Sequence, residues 1–70
     1  MNHIVSVSSS LLSVVAHSTL GALDLRFHTG AAYRYFRVPR LVFDRLIAAE
    51  SKSAYFNRDI RNRFPYRRVA

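Results

Sequence analysis

The sequence predicts an α+β domain in which a small antiparallel sheet of three to four strands carries two helices on one face. Three observations support this class. Apolar and polar residues alternate over 22–28 before a returning strand over 32–38, an apolar stripe at helical spacing follows Pro39, and a second, shorter helical pattern ends near Pro65. Because the strand patterns precede the helical patterns along the chain, segregated strands and helices are favoured over a parallel α/β arrangement.

The first strand is predicted over Leu11 to His17, a short segment rich in β-branched residues. Ile4 to Val7 alternates with serine, which indicates either an extension of this strand or a separate edge strand. Residues 1–8 as a whole are therefore interpreted as an additional edge strand or an arm. A turn at 18–21, with Ser18, Thr19 and Gly21, leads to the next strand.

The next two strands form a hairpin whose register depends on the length of its loop. A two-residue loop would place Arg34 on the apolar face that carries Leu23, Leu25 and Phe27. A three-residue loop with Gly30 in the left-handed conformation instead puts Tyr33 and Tyr35 on that face and sets Arg34 opposite Asp24. Because burying an unpaired arginine is costly, the second register is predicted. Tyr33 and Tyr35 are then mainly core residues, and Arg26, Arg34 and Phe36 lie on the outer face.

A helix is predicted from Pro39, since proline lacks the N–H that the first helical position leaves unpaired. Arg40 and Asp44 are spaced to pair across one turn of this helix. Its apolar stripe consists of Val42, Phe43, Leu46, Ile47 and Ala49.

A second helix is predicted after a break at residues 50–53, with Ser51 or Ser53 as its cap. Phe56, Ile60 and Phe64 face inward at this spacing, and Pro65 ends the helix. The tail that follows, Tyr66 to Val69, is extended and able to join an edge of the sheet.

Charge is distributed unevenly along the 70-residue chain. Eleven Lys+Arg oppose four Asp+Glu, giving a formal net charge of +7. All the cations lie between Arg26 and Arg68, and every one except Lys52 is arginine. Arginine grips phosphates and carboxylates bidentately, so this asymmetry indicates a binding face for an anionic partner.

The N-terminal segment does not match a secretory signal, because it lacks a basic start and serines interrupt its apolar run. No stretch approaches the ~20 apolar residues of a membrane-spanning helix. Cysteine is absent, which is compatible with a reducing compartment. We therefore expect a soluble, monomeric, cytoplasmic protein without a membrane partner.

Catalysis finds no support in the sequence. The three histidines are scattered, there is no cysteine, and the four acidic residues are dispersed. The serine run at residues 8–10 lacks the strand–turn–helix setting of a nucleophile, and neither glycine belongs to a phosphate-binding loop. We expect a non-enzymatic domain with no catalytic residues, no metal site and no cofactor.

The candidate binding residues are concentrated in the second helix and the tail, where Arg58 and Arg61 lie three apart with Asn57 beside them. We expect these guanidinium groups to emerge together as one contiguous cationic zone; the alternative is a solvated basic face without function. Tyr33 and Tyr35 have a second interpretation as a base-stacking platform, and Phe36 suits either a base or a protein hot spot. The predicted set is Arg26, Arg34, Phe36, Arg37, Asn57, Arg58, Arg61, Arg63, Tyr66, Arg67 and Arg68.

Several motifs resemble the KTSC domain, a family named for its occurrence at the C-terminus of some lysyl-tRNA synthetases. These are Tyr33-Arg34-Tyr35-Phe36 followed by Val38-Pro39, then Ser51, then 55–61 (YFNRDIR), and finally 64–69 (FPYRRV). The resemblance covers residues 9–69 and implies a single, stand-alone domain over 1–70. The chain departs from the pattern at Lys52-Ser53, where a glycine is expected near the inter-helix turn.

The resemblance implies one of two functions. Small phage-borne proteins of this kind are regulators on the host RNA polymerase, which implies a transcription regulator that docks through its basic surface on an acidic region of bacterial RNA polymerase and alters its activity. Family members are also suspected RNA binders, which implies recognition of RNA or tRNA by arginine–phosphate contacts and aromatic stacking. The regulator is the first expectation and the RNA-binding domain is the alternative. Residue chemistry alone indicates only an anionic partner.

Overall fold

The computed structural model describes residues 3–7 and 11–70 and shows the predicted α+β fold. One antiparallel sheet has the strand order β1-β2-β3-β4-β5, and two helices lie between β4 and β5 in the chain. The sheet has five strands where three to four were predicted, because the N-terminal segment and the tail both join it. The elements are β1 His3–Ser6, β2 Leu12–His17, β3 Leu23–Phe27, β4 Ala32–Tyr35, α1 Arg40–Ala48, α2 Lys52–Asp59 and β5 Tyr66–Arg68.

The N-terminal segment forms a separate edge strand rather than an extension of β2. Val5 pairs with Val15 in an antiparallel ladder, and the Val7 N–H donates to the Ser13 carbonyl at 3.0 Å. Residues 1, 2 and 8 of the predicted edge strand or arm lie outside the described residues, as does the serine run at 8–10. β2 begins at Leu12 and shifts register between Leu12 and Val14, so that Leu12 and Val15 are both buried.

The β3–β4 hairpin has the predicted three-residue loop. The Phe27 N–H donates to the Ala31 carbonyl at 2.9 Å, and Gly30 has a φ of +96°. Asp24 lies directly opposite Arg34, and the Arg34 Nε donates to the Asp24 carboxylate at 2.8 Å. The predicted register is therefore confirmed, and Tyr35 is buried on the same face as Leu23.

Helix α1 begins at Arg40, one residue later than predicted. Pro39 is its N-cap rather than its first helical residue. The φ of Pro39, −62°, is compatible with a helix, but its ψ of 149° is extended. Phe43 and Leu46 are buried and the remaining stripe residues are partly covered. Arg40 pairs with Asp44 at 2.9 Å as expected.

The connection from α1 to α2 needs no glycine. Ala49 at the end of α1 is extended, with φ −67° and ψ 137°, and the Lys52 ammonium donates to its carbonyl at 3.2 Å. Of the two candidate caps, Ser51 is the one used, because its hydroxyl accepts the Ala54 N–H at 3.2 Å. The departure from the family pattern at Lys52-Ser53 thus reflects a turn built without a left-handed residue.

The prediction that α2 continues to Pro65 is wrong. The helix ends at Asp59, because the Phe56 carbonyl accepts the N–H groups of both Ile60 and Arg61, at 3.0 and 2.9 Å, and the chain then turns. The predicted inward residues keep their places, since Phe56 and Ile60 are buried and Phe64 packs partly against the core.

Both helices pack on the face of the sheet that carries Leu23, Leu25 and Tyr35. His17 also lies in this core, where its Nε2 is 2.8 Å from the Val38 carbonyl and its ring stacks on Phe43 at 5.4 Å. Burial of this polar ring is thereby compensated by a hydrogen bond. Neither helix within the described ranges is long and apolar enough to cross a bilayer.

Replacement of Gly30 by alanine is expected to destabilise the domain by about 1–2 kcal/mol, because only the backbone conformation opposes a side chain there. Apart from its two chain neighbours, no described residue has a heavy atom within 4 Å of the point that a Cβ would occupy at this position, so none of them crowds the new side chain. Gly30→Asn should lose clearly less, since asparagine tolerates positive φ. Urea unfolding of the three proteins measures the difference; equal stability of wild type and Gly30→Ala would contradict the loop geometry.

Candidate functional site

Five aromatic side chains form a closed ring of contacts on the helix-bearing face of the sheet. Phe27 contacts Tyr33 and Phe56, with each pair of ring centroids 5.6 Å apart. Tyr66 contacts Tyr33 at 5.7 Å and Tyr35 at 5.3 Å, and Tyr35 closes the ring on Phe56 at 5.7 Å. These five residues are called the aromatic cluster below.

Strand alternation brings the aromatic cluster together. Tyr33 and Tyr35 are two residues apart on β4 and so point to the same face. β5 pairs Tyr66 with Tyr35, which places Tyr66 on that face as well. Phe27 extends the face on β3, and Phe56 covers it from α2.

A hollow of about 550 Å³ opens beside the aromatic cluster. This volume falls within the ~300–1,000 Å³ that pockets for small organic ligands occupy. Its polar groups are the Arg61 guanidinium, the amides of Asn57 and Asn62, and the Thr29 hydroxyl. The remaining lining residues are the aromatic cluster with Leu11 and Ala31. The hollow thus combines flat apolar surfaces with groups that donate and accept hydrogen bonds.

The electrostatics of the hollow centre on Tyr35 and Arg61. Burial raises the pKa of the Tyr35 hydroxyl above its ordinary value, the neighbouring Tyr66 and Tyr33 raise it further, and Arg61 opposes the shift. Tyr35 is therefore a neutral hydroxyl at physiological pH. Tyr66 is 57% exposed at the edge of the hollow, so its side chain is accessible to a ligand.

Only part of the predicted set lies at the hollow, namely Asn57, Arg61 and Tyr66. Arg58 points elsewhere: it is 71% exposed, donates to Asp59 at 3.0 Å and lies over the Tyr55 ring at 5.7 Å. It lines a different cavity at the junction of the two helices.

The arginines of the tail lie on opposite faces of the sheet. Arg68 is paired with Tyr33 and so shares the face of the aromatic cluster, whereas Arg67 is paired with Arg34 on the outer face. The expected single cationic zone is therefore not formed, because successive strand residues point in opposite directions. Arg26 also lies on the outer face, and Phe36, Arg37 and Arg63 are exposed in turns.

Sequence reasoning missed Phe27 and Phe56 as lining residues, and also Asn62 and Thr29. Tyr66 was in the predicted set, and a base-stacking platform was the second interpretation of Tyr33 and Tyr35. Tyr33 and Tyr35 were expected mainly in the core, which holds for Tyr35 at 3% exposure, while Tyr33 is only partly buried. The predicted pairing of the tail with the sheet edge contained the missing signal, since it brings Tyr66 beside them.

Among the described residues, no group of three or more His, Cys, Asp or Glu side chains is placed to hold a metal ion.

Comparison with known proteins gives related sequences and a matching fold. Residues 7–64 match the sequence profile of the KTSC domain. A lysine–tRNA ligase of Trichormus variabilis is 38% identical over 53 residues, covering 76% of this chain and 9% of the ligase. A lysine–tRNA ligase of a Nostoc species is 38% identical over 52 residues, covering 74% of this chain and again 9% of the ligase. This chain therefore corresponds to a small part of each ligase.

Two smaller proteins are also similar. A protein of Tsukamurella paurometabola is 50% identical over 42 residues, which cover 60% of this chain and 63% of that protein. The crystal structure of a KTSC domain protein from Yersinia pestis superimposes with a TM-score of 0.93 over the whole of both chains, at 24% sequence identity. This structural likeness establishes the fold.

Alkaline pH is expected to destabilise the domain through Tyr35. Because the pKa of Tyr35 is raised in the folded state, the unfolded chain loses this proton first as pH rises above ~10, and the free energy of unfolding falls. Urea unfolding at pH 8 and 10.5 should show a smaller loss for Tyr35→Phe than for wild type. Tyr55→Phe, outside the aromatic cluster, is the control for removal of a tyrosine hydroxyl. An unchanged loss in Tyr35→Phe would contradict the proposed cause.

Proposed function

The chain belongs to the KTSC domain family, and we propose that it is a non-enzymatic domain that binds single-stranded RNA at the hollow beside the aromatic cluster. The closed ring of aromatic contacts, with Tyr66 57% exposed at its rim, is the observation that carries this proposal. Unpaired bases of RNA are recognised by stacking on aromatic rings and by hydrogen bonds to their edges. Tyr66 offers the ring surface for stacking.

The polar groups around the hollow suit the rest of a nucleotide. Asn57 and Asn62 each supply an amide that donates and accepts, as reading a base edge requires. Arg61 supplies a guanidinium at the same site for a phosphate or a base. A hollow of this size favours one splayed base over a stacked duplex.

The overall charge supports an RNA partner as well. A net charge of +7 attracts a polyanion, and the register places Arg68 on the same face as the aromatic cluster. Arg68 therefore lies where the backbone leading to or from the bound base would pass. Such phosphate contacts would make the affinity depend strongly on salt.

The lysine–tRNA ligases point in the same direction, since by their name they act on a tRNA. A related segment of 52 to 53 residues within them is compatible with an RNA-contacting part. Because this chain spans only 9% of each ligase, the ligase reaction is not extended to it.

Docking on bacterial RNA polymerase stays a prediction that rests on the family resemblance. The cytoplasmic location and the monomeric state also stay predictions. An acidic protein surface is an alternative anionic partner, so the experiment below includes polymerase as a separate arm.

Tyr66→Ala is expected to weaken RNA binding by roughly tenfold or more, in line with the ~1–3 kcal/mol that stacking of a base contributes. Tyr66→Phe should bind like wild type, and Arg61→Ala should weaken binding and reduce its salt dependence. Fluorescence anisotropy with a labelled 12-nucleotide single-stranded RNA, titrated at several salt concentrations, measures these effects. A duplex of the same sequence should bind more weakly.

Arg45→Ala is the matched control, because Arg45 is an exposed arginine on α1 away from the hollow. Circular dichroism and thermal melts verify that each variant is folded. The proposal fails if micromolar protein does not bind the RNA at low salt, or if Tyr66→Ala and Arg61→Ala bind like the control. Capture of purified bacterial core polymerase together with absence of RNA binding would favour the regulator instead.

A further inference from the structure

The outer face of the sheet, which neither helix covers, changes character from one edge to the other. The register places Ile4, Ala16, Asp24, Arg34 and Arg67 in one row across all five strands. At the usual separation of neighbouring strands this row is about 19 Å long. Its β1 end is apolar, with Ile4 73% exposed, and its β5 end is cationic.

A second row of residues on this face shows the same division into an apolar end and a cationic end. Val14 lies opposite Arg26, and Arg26 lies opposite Ala32. The face therefore has an apolar half formed by Ile4, Val14 and Ala16 and a cationic half formed by Arg26, Arg34 and Arg67. Ala16 lies beside Asp24 where the two halves meet, and Ala32 is almost fully buried beside Arg26.

The cationic half has more guanidinium groups than the fold neutralises. Asp24 accepts two hydrogen bonds from Arg34, at 2.8 and 3.4 Å. Neither Arg26 nor Arg67 has an ion-pair partner among the described residues. Arg34 and Arg67 are direct cross-strand neighbours, an arrangement of like charges that destabilises a sheet. A carboxylate from outside, placed between Arg34 and Arg67, would offset this repulsion.

We propose that this outer face is a second docking surface, separate from the RNA hollow, and that it binds an acidic amphipathic segment of a partner protein. Carboxylates of the segment meet Arg26, Arg34 and Arg67, and apolar side chains at its other end meet Ile4, Val14 and Ala16. A helix of about 13 residues has the length of the row. A second copy of this chain does not fit, because the paired residues of this face include no carboxylate except Asp24, which Arg34 already engages, so the arginines of each copy would meet arginines or apolar side chains.

RNA is a poorer match for this face than a protein segment. The strands carry no aromatic side chain on it within the described residues, so successive bases have no platform on which to stack. Continued alternation beyond β4 places Phe36 on the same side, and it is 37% exposed. One aromatic beside arginines and aliphatic residues is typical of a protein hot spot.

The test is an NMR titration of the ¹⁵N-labelled protein with a synthetic 18-residue helical peptide that carries three glutamates in one half and three leucines in the other. We expect chemical-shift changes at residues of β1 to β5 on the outer face, Arg67 included, and none at Arg61. A peptide with glutamine in place of glutamate should bind at least tenfold more weakly, because the cationic half then gains nothing.

Arg67→Glu is the decisive variant, because the new carboxylate would lie opposite Arg34 and keep the sheet intact. It should weaken peptide binding at least tenfold while changing the affinity for single-stranded RNA no more than Arg45→Glu does, because both variants lower the net charge by two. Arg45→Glu, on α1, is the control for net charge and should retain peptide binding. Since the RNA assay and the peptide assay probe opposite faces, failure of one proposal is distinguishable from failure of the other.

Three outcomes would overturn the inference. The first is the absence of shift changes at millimolar peptide. The second is equal loss of peptide binding in Arg67→Glu and Arg45→Glu, which would indicate attraction by net charge alone. The third is displacement of the peptide by RNA with shift changes confined to the outer face, which would assign this surface to nucleic acid.

Discussion

The loop that joins β3 to β4 determines which face of the sheet each side chain of these strands points to. Gly30, at φ +96°, allows three residues in the turn and sets Asp24 opposite Arg34. A loop shorter by one residue would turn Arg34 into the core and Tyr33 and Tyr35 into solvent. The aromatic cluster and the arginines of the outer face therefore depend on the same register. The Asp24–Arg34 ion pair is compatible with this register but does not determine it, since exposed pairs contribute only about 0–1 kcal/mol.

The tail serves both faces of the sheet because it is a strand. Tyr66 and Arg68 complete the aromatic side, while Arg67 between them adds to the cationic half of the other side. Three consecutive residues thus supply groups to two surfaces of different chemistry. A dense run of arginines in sequence need not form a dense patch in space, and here the pleat of the sheet separates them.

Much of the fold could be predicted from the sequence, because its patterns are local. Alternation in β3 and the cost of burying Arg34 were sufficient for the hairpin register, and apolar spacing identified the buried face of each helix. The end of α2 could not be predicted, since it depends on the Phe56 carbonyl accepting two N–H groups, a detail of backbone geometry. The hollow was missed for a different reason: its walls come from β3, β4, α2 and β5, and only the packing of distant segments brings Tyr66, Phe56 and Phe27 together.

β5 is the shortest strand, all three of its residues are exposed, and it holds an outer edge of the sheet. Such an edge frays more readily than the interior strands, because few buried contacts oppose its release. Two of the five contacts that close the aromatic ring belong to Tyr66, so each fraying event would dismantle the site and each re-docking would rebuild it. A ligand held against Tyr66 would then slow amide hydrogen exchange along β5 and leave that of β2 and β3 unaltered. The exchange rates of the β5 amides would therefore report whether the site is occupied.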